Sequence, residues 1–258
     1  MSDTQDLLFE LGCEELPPAS LRKLSDALLK NIQQGLTHAD LSFGESIAYA
    51  TPRRLAVLIK DLVSSQADKR IEKRGPALQA AFNAEGEPSK ASLGFAKSCG
   101  TTVEQLSTVK TDKGEWLSFT QKVKGQASDA LIPEIISKSI SQLPIAKRMR
   151  WGSSNIEFVR PVHWAVLLYG QDIINTEILG LSTSNTTYGH RFHAPEAITI
   201  DAPLRYESIL LEQGKVIADF NQRMQLIRDA ANSAASAVDG IAHIEEDLLE
   251  EIAALNEF

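Results

Sequence analysis

Residues 6–11 (DLLFEL) form a nearly unbroken apolar run, closed by Gly12 and followed by Pro17-Pro18, and this opening restricts the fold more than any other segment. Such a run is too short for a helix of its own and reads as a strand. The prolines suit the first turn of a helix, and Leu21, Leu24, Leu28, Ile32 and Leu36 then recur at helical spacing, so a strand leads into an amphipathic helix. Residues 46–50 and 54–63 are rich in β-branched and aliphatic side chains and are separated by Thr51-Pro52, which gives two more strands. The chain therefore begins β-α-β-β.

Residues 75–89 mix Gly, Pro and Ala with few large aliphatics and read as an exposed excursion, followed by a short helical pattern over 91–99. Residues 109–111 and 116–123 flank Asp112-Lys113-Gly114, a tight-turn sequence that predicts a β-hairpin. A helix over 127–143 ends at Pro144, and short strands follow at 164–169, 173–179 and 197–200. Helical spacing returns over 220–238 and 241–255, joined at Asp239-Gly240, where glycine suits the positive φ of a helix end. The fold class expected is α+β, with mixed sheets, flanking helices, two lobes and a closing helical pair. The boundaries are 1–145 for an N-terminal α/β lobe with an excursion near 64–100, 146–205 for a β-rich lobe, and 206–258 for a helical segment. The second closing helix still keeps its pattern at Phe258, so a missing C-terminal part is expected beyond it.

Hydrophobic residues make up 43% of the 258 and charged residues 23%, the balance of a chain that folds. No basic leader precedes an apolar stretch and no run reaches about 18 apolar residues, which predicts a cytoplasmic protein without a membrane span. Cys13 and Cys99 lack any CxxC or Cys/His spacing and read as buried free thiols. The net charge is -8, yet the segment from Asp239 onward holds seven acidic residues and no Lys or Arg, leaving -8 minus -7, or -1, for the rest. Against that background two clusters are basic: Arg53, Arg54, Lys60, Lys69, Arg70, Lys73 and Arg74, then Lys147, Arg148, Arg150 and Arg160. Each is either a solvated face or a phosphate contact.

Neither GxxxxGK[ST] nor GxGxxG occurs, and GxSxG, HExxH and acidic calcium loops are absent too, so no standard nucleotide, hydrolase or metal signature is present. His190-Arg191-Phe192-His193 with His163 offers three imidazoles, but a strand would put His190 and His193 on opposite faces, so hydrogen-bonded or RNA-contacting histidines are expected, and no metal. Lys147-Arg148-Met149-Arg150-Trp151 suits phosphate contact with base stacking, or equally a Trp buried at a lobe junction under arginines. Glu14-Glu15 lie just ahead of a helix start and are expected to meet its positive end.

Six segments in this order, 7–18 (LLFELGCEELPP), 49–58 (YATPRRLAVL), 74–77 (RGPA), 94–96 (GFA), 149–164 (MRWGSSNIEFVRPVHW) and 187–195 (TYGHRFHAP), resemble the beta subunit of the bacterial alpha2-beta2 glycine-tRNA ligase. The resemblance spans nearly the whole chain. It implies that glycine is activated with ATP and magnesium at a separate alpha subunit. The beta chain, paired with a second copy in the tetramer, would serve tRNA recognition and assembly. The family's beta chain is longer, continuing into an HD-type domain and helical tRNA-binding regions that end in an anticodon-binding domain. Without those, weak binding of glycine tRNA is expected. No catalytic residue carries over. The candidates for contact with RNA or a subunit are Arg53, Arg54, Arg148, Arg150, Trp151, Arg160, His163, His190, Arg191 and His193. The family's N-terminal region is also similar in outline to the mixed α/β modules of the phenylalanine-tRNA ligase beta chain. The alternatives are thus a hydrolytic editing-type module using His190 or His193, and a pure assembly scaffold without RNA contact.

Overall fold

The computed structural model describes residues 3–83, 86–112 and 114–258. In chain order the elements are β1 (Thr4–Cys13), α1 (Pro18–His38), β2 (Ser46–Thr51), β3 (Arg54–Val63), β4 (Lys69–Ala77), α2 (Leu78–Ala81), α3 (Lys90–Ser98), β5 (Ser107–Thr111), β6 (Gly114–Val123), α4 (Ser128–Ser141), β7 (Met149–Arg150), β8 (Glu157–Phe158), β9 (Val162–Tyr169), β10 (Asp172–Ile173), β11 (Glu177–Ile178), β12 (Leu181–Ser182), β13 (Thr186–Tyr188), β14 (Ala197–Thr199), α5 (Tyr206–Glu212), α6 (Phe220–Ser236) and α7 (Glu246–Leu255). The α+β reading of the sequence holds. The chain divides into two compact units, Met1–Ser65 with Ala127–Phe258, and Gln66–Gln126.

The larger unit is organised on an antiparallel five-stranded sheet in the order β10-β9-β1-β3-β2. The DLLFEL run is its middle strand, which explains why apolar residues there do not alternate with polar ones. On one face Leu7, Phe9, Leu11 and Cys13 join Leu21, Leu24, Leu28 and Ile32 of α1, Ile132 and Ile136 of α4, and Phe220 and Leu249 from α6 and α7. On the other, Leu8 joins Tyr49, Trp164, Tyr206, Ile209 and Leu210. Gly12 makes that second layer possible: a Cβ there would sit 1.9 Å from the Trp164 ring, which lies across β1. Arg223 of α6 is buried and donates to the carbonyls of Ala50 (2.6 Å), Ile217 (2.6 Å) and Ala253 (3.2 Å), tying the sheet edge to α7. Burial pulls its pKa down to about 10.

The smaller unit carries the antiparallel sheet β4-β6-β5, with Ala81, Ala96, Val103 and Leu117 buried around it. Ser92 of α3 donates its hydroxyl to the Ala81 carbonyl, and Phe95 packs where a side chain on Gly75 would stand.

Several expected boundaries move. The excursion expected near 64–100 is part of a compact module that runs on to residue 126, because β4 finds its partner in β6 more than forty residues later. The expected hairpin is β5–β6, while Lys113 of its tight turn lies outside the described residues. The boundary expected between 145 and 146 crosses the main sheet, since β9 pairs with β1 from Leu7 to Cys13. Residues 206–258 likewise contribute to both faces of that sheet. The strand expected over 173–179 resolves into two short ones, and the last helix starts at Glu246, not at 241. At the end of α6 the positive φ (55°) belongs to Asp239, and Gly240 instead donates its N–H to the Ala235 carbonyl.

These contacts set opposite expectations for two glycines. Gly12→Ala forces Trp164 off its seat and lowers stability by about 1–3 kcal/mol. Gly94→Ala, in α3 with open space around it, raises stability by about 0.5–1 kcal/mol. Urea denaturation of both variants measures the contrast.

Candidate functional site

The charged residues of the larger unit separate into a buried set and an outer set. Glu10 of β1 and Arg54 of β3 have no exposed surface, and Glu257 is 7% exposed. Arg54 Nη1 lies 3.8 Å from Glu10 Oε2, and Nη2 lies 3.6 Å from Glu257 Oε1. Its guanidinium also donates to Thr51 Oγ1 (3.1 Å), Thr187 Oγ1 (3.4 Å) and the Tyr188 carbonyl (2.9 Å). Glu10 Oε1 accepts from the Trp164 indole and from Thr187 (2.5 Å), and Glu257 accepts from Thr51 (2.6 Å). Burial opposes the charge on Arg54, but the two carboxylates outweigh it and raise its pKa above the usual value. Beside this set, burial and then the charge of Glu10 push the Tyr206 phenol well above its ordinary range.

The outer set lies at the same end of the sheet. Arg191 pairs with Glu14 (3.0 Å) and Glu15 (3.5 Å), His163 Nε2 meets Glu14 Oε1 at 3.0 Å, and Arg160 Nε donates to the Glu15 carbonyl at 3.0 Å. Partial burial of Glu14 works against its charge, but hydrogen bonding to His163 and the charges of His163 and Arg191 win, holding its carboxyl below the usual range. Glu14 and Glu15 therefore serve these cations and not the start of α1, whose first turn holds no acidic residue.

Residues 190–193 form a turn between β13 and β14, closed by the Ala194 N–H donating to the His190 carbonyl at 2.9 Å. His190 Nδ1 accepts from the N–H groups of Phe192 and His193, both at 3.2 Å. The turn brings the His190 and His193 rings to 4.4 Å, where strand geometry had predicted opposite faces. Burial, reinforced by His193, lowers the His190 pKa, and the two N–H groups that Nδ1 accepts assign the proton of the neutral ring to Nε2. With Arg53, Arg191, Glu15 and Glu257 these rings line a cavity of about 310 Å³. The buried Nε of Arg53 has no hydrogen-bond partner there among the described residues. Among the described residues no group of three or more His, Cys, Asp or Glu is arranged to hold a metal.

The basic segment 147–160 bends into the hairpin β7–β8. Arg150 pairs with Glu157 across it (2.9 Å), Arg148 donates to the Ser141 carbonyl (3.0 Å), and Trp151 is half-buried against the main core.

The family model for the glycyl-tRNA synthetase beta subunit matches residues 7–258, a span containing all of these groups. The chain belongs to that family. It is 52% identical over 254 residues to the glycine–tRNA ligase beta subunit of Hahella chejuensis, covering 98% of this chain and 37% of that one. The corresponding protein of Marinobacter nauticus is 49% identical over 256 residues (99% and 37%), and that of Histophilus somni 47% over 255 (99% and 37%). The chain thus spans 37% of the length of these beta subunits. Among the described residues no helix is long and apolar enough to cross a membrane.

In this member of the glycyl-tRNA synthetase beta subunit family, one candidate must be withdrawn: Arg54 has no exposed surface, its guanidinium being consumed by Glu10, Glu257 and three neutral acceptors, so it touches neither RNA nor another subunit. Arg53, Arg160, His163, His190, Arg191 and His193 come to one end of the sheet, while Arg148, Arg150 and Trp151 group on and beside the β7–β8 hairpin. Sequence reasoning missed Glu10, Thr187 and Glu257. The one acid inside the apolar run 7–11 was the signal available for Glu10.

Two outcomes follow. Arg54→Met strands two carboxylates in the interior and costs about 3–5 kcal/mol, of which a second change, Glu10→Gln, restores part, as a double-mutant cycle by chemical denaturation will report. Burial pushes the Cys13 thiol up to about 12 despite Arg53 and Arg54 nearby. At pH 8 a thiol reagent therefore leaves Cys13 unmodified in the folded chain and modifies it once the chain is unfolded, which mass spectrometry resolves.

Proposed function

We propose that this chain is the N-terminal, non-catalytic region of a glycine-tRNA ligase beta subunit, supporting the attachment of glycine to its tRNA through tRNA binding and subunit assembly in an alpha2-beta2 enzyme. The observation that carries this reading is the family match along 7–258 at about half identity to named beta subunits. ATP and magnesium belong, in this reading, to chemistry at the alpha subunit. The compartment is the cytoplasm, where tRNA charging takes place.

The cations outside the buried cluster are of two kinds. Arg191 and His163 are engaged with Glu14, which suits a surface that holds its own shape against a partner. Arg148 donates to a single carbonyl, and Arg150 pairs with one well-exposed carboxylate, so both can exchange these contacts for phosphate at small cost. Phosphate contacts of this type give binding that weakens with salt. A second reading, hydrolysis of mischarged tRNA, draws support from the His190 and His193 rings beside the Arg53 cavity. Loss of deacylation in a His190→Ala/His193→Ala chain would favour it, and activity that survives would remove it.

Binding of the chain to glycine tRNA and a non-cognate tRNA across a salt series, with capture of the alpha subunit in parallel, tests the main reading. Salt-sensitive tRNA binding that weakens several-fold in Arg148→Glu/Arg150→Glu, with the fold intact, is expected. Retained alpha-subunit capture with no RNA binding would reduce the role to assembly; loss of both would overturn the proposal.

A further inference from the structure

The two units differ in charge. Residues 66–126 hold ten Lys and Arg against seven Asp and Glu, a net +3, so the other 197 residues carry -8 minus +3, or -11. The basic residues of the small unit are concentrated on one sheet. In the β4–β6 ladder Arg70 stands directly opposite Lys122, Glu72 opposite Thr120, and Arg74 opposite Ser118. Residues directly opposite in an antiparallel pair project on the same side, so Arg70, Arg74 and Lys122 share one face. All three are exposed, as are Glu72 and Thr120 between them.

Like charges directly opposite each other destabilise a sheet. The Arg70–Lys122 pair carries that cost with no ion pair to either residue among the described residues, and the face holds one carboxylate, Glu72. At the other end of the row Arg74 lies over the Trp116 ring, 4.8 Å from its centroid. The row is about 13 Å long at the rise of a strand and presents unpaired cations followed by a cation–aromatic stack. Beyond the Trp116 ring beneath Arg74 this face offers a protein partner's apolar side chains little to bury, whereas a sugar-phosphate backbone with a free base finds both kinds of contact.

We infer that this face of the β4–β6 sheet is an RNA-backbone contact surface, built from other residues than those near the sheet end and on the β7–β8 hairpin. The inference rests on the tRNA-binding part of the proposed function and names a place for it. Phosphate contacts read no sequence, so glycine tRNA and a non-cognate tRNA should respond alike here.

The test compares the unsubstituted chain, Arg70→Gln/Lys122→Gln, and a control, Lys23→Gln/Lys30→Gln, which removes two exposed cations from α1. Removing opposed like charges cannot weaken the ladder electrostatically, so the thermal midpoint should hold or rise. The expected result is a fall of about two in the slope of log affinity against log salt and a loss of about tenfold or more at low salt, for both tRNAs, with the control unchanged. An unaltered slope in the double variant overturns this surface while leaving tRNA binding elsewhere intact. An equal loss in the control also overturns it, as a bulk charge effect. Absence of RNA binding by the unsubstituted chain overturns both this surface and the RNA part of the proposed function, leaving assembly.

Discussion

The Arg54 guanidinium, sealed between Glu10 and Glu257, is the constraint around which the larger unit is arranged. A buried charge pair is costly unless its remaining donors and acceptors are matched; here Glu10 Oε2 has, among the described residues, only the Arg54 guanidinium, at 3.8 Å, and the other groups find partners from across the sequence: Thr51 before β3, Thr187 and Tyr188 from β13, and Trp164 from β9. Trp164 reaches Glu10 because Gly12 leaves its ring room to lie across β1. The carboxylate of Glu257 brings the segment after α7 to the same point, where its carbonyl also accepts from the Ile217 N–H at 2.7 Å. The main sheet, strand β13 ahead of the HRFH turn and the segment after α7 thereby meet at one side chain.

That arrangement sets the outer surface. Arg53 and Arg54 are adjacent on the chain but have opposite fates, one lining a cavity and the other fully enclosed. Glu14 and Glu15, just beyond β1, anchor Arg191 of the turn, and the turn in turn stacks His190 on His193. The site candidates near the sheet end are therefore a consequence of the buried cluster beneath them.

Much of the fold was legible in the residues. The apolar run 6–11 and the Leu21–Leu24–Leu28–Ile32–Leu36 series specify β1 and α1 because one element is buried on both faces and the other on one stripe. Pairing partners were not legible: nothing local in β9 marks β1 as its neighbour, so a lobe boundary was expected at 145/146 where the main sheet in fact continues. The small unit was misread for a related reason, since β4 is charged and exposed along most of its length and shows no apolar periodicity. Buried arginines were the other blind spot. Arg54 sits within a basic cluster and Arg223 within an amphipathic helix, and only the three-dimensional supply of carboxylates and carbonyls reveals that both are interior. For the site, residue types were readable but their pairing was not, because a turn and not a strand holds His190 and His193.

The place of β1 in the middle of the sheet has a consequence for synthesis. One of its edges is satisfied by β3, which follows within about fifty residues, but the other must wait for β9, about a hundred residues later still. At roughly 5–20 residues per second, a ribosome leaves that apolar strand with an open edge on the order of ten seconds while residues 66–126 and the segment after them are made. An open, hydrophobic strand edge is a template for pairing with other chains. Newly made copies thus pass through a window in which crowding on one message favours misassembly, and a chaperone that shields the β1 edge until β9 emerges would raise the yield of folded chain.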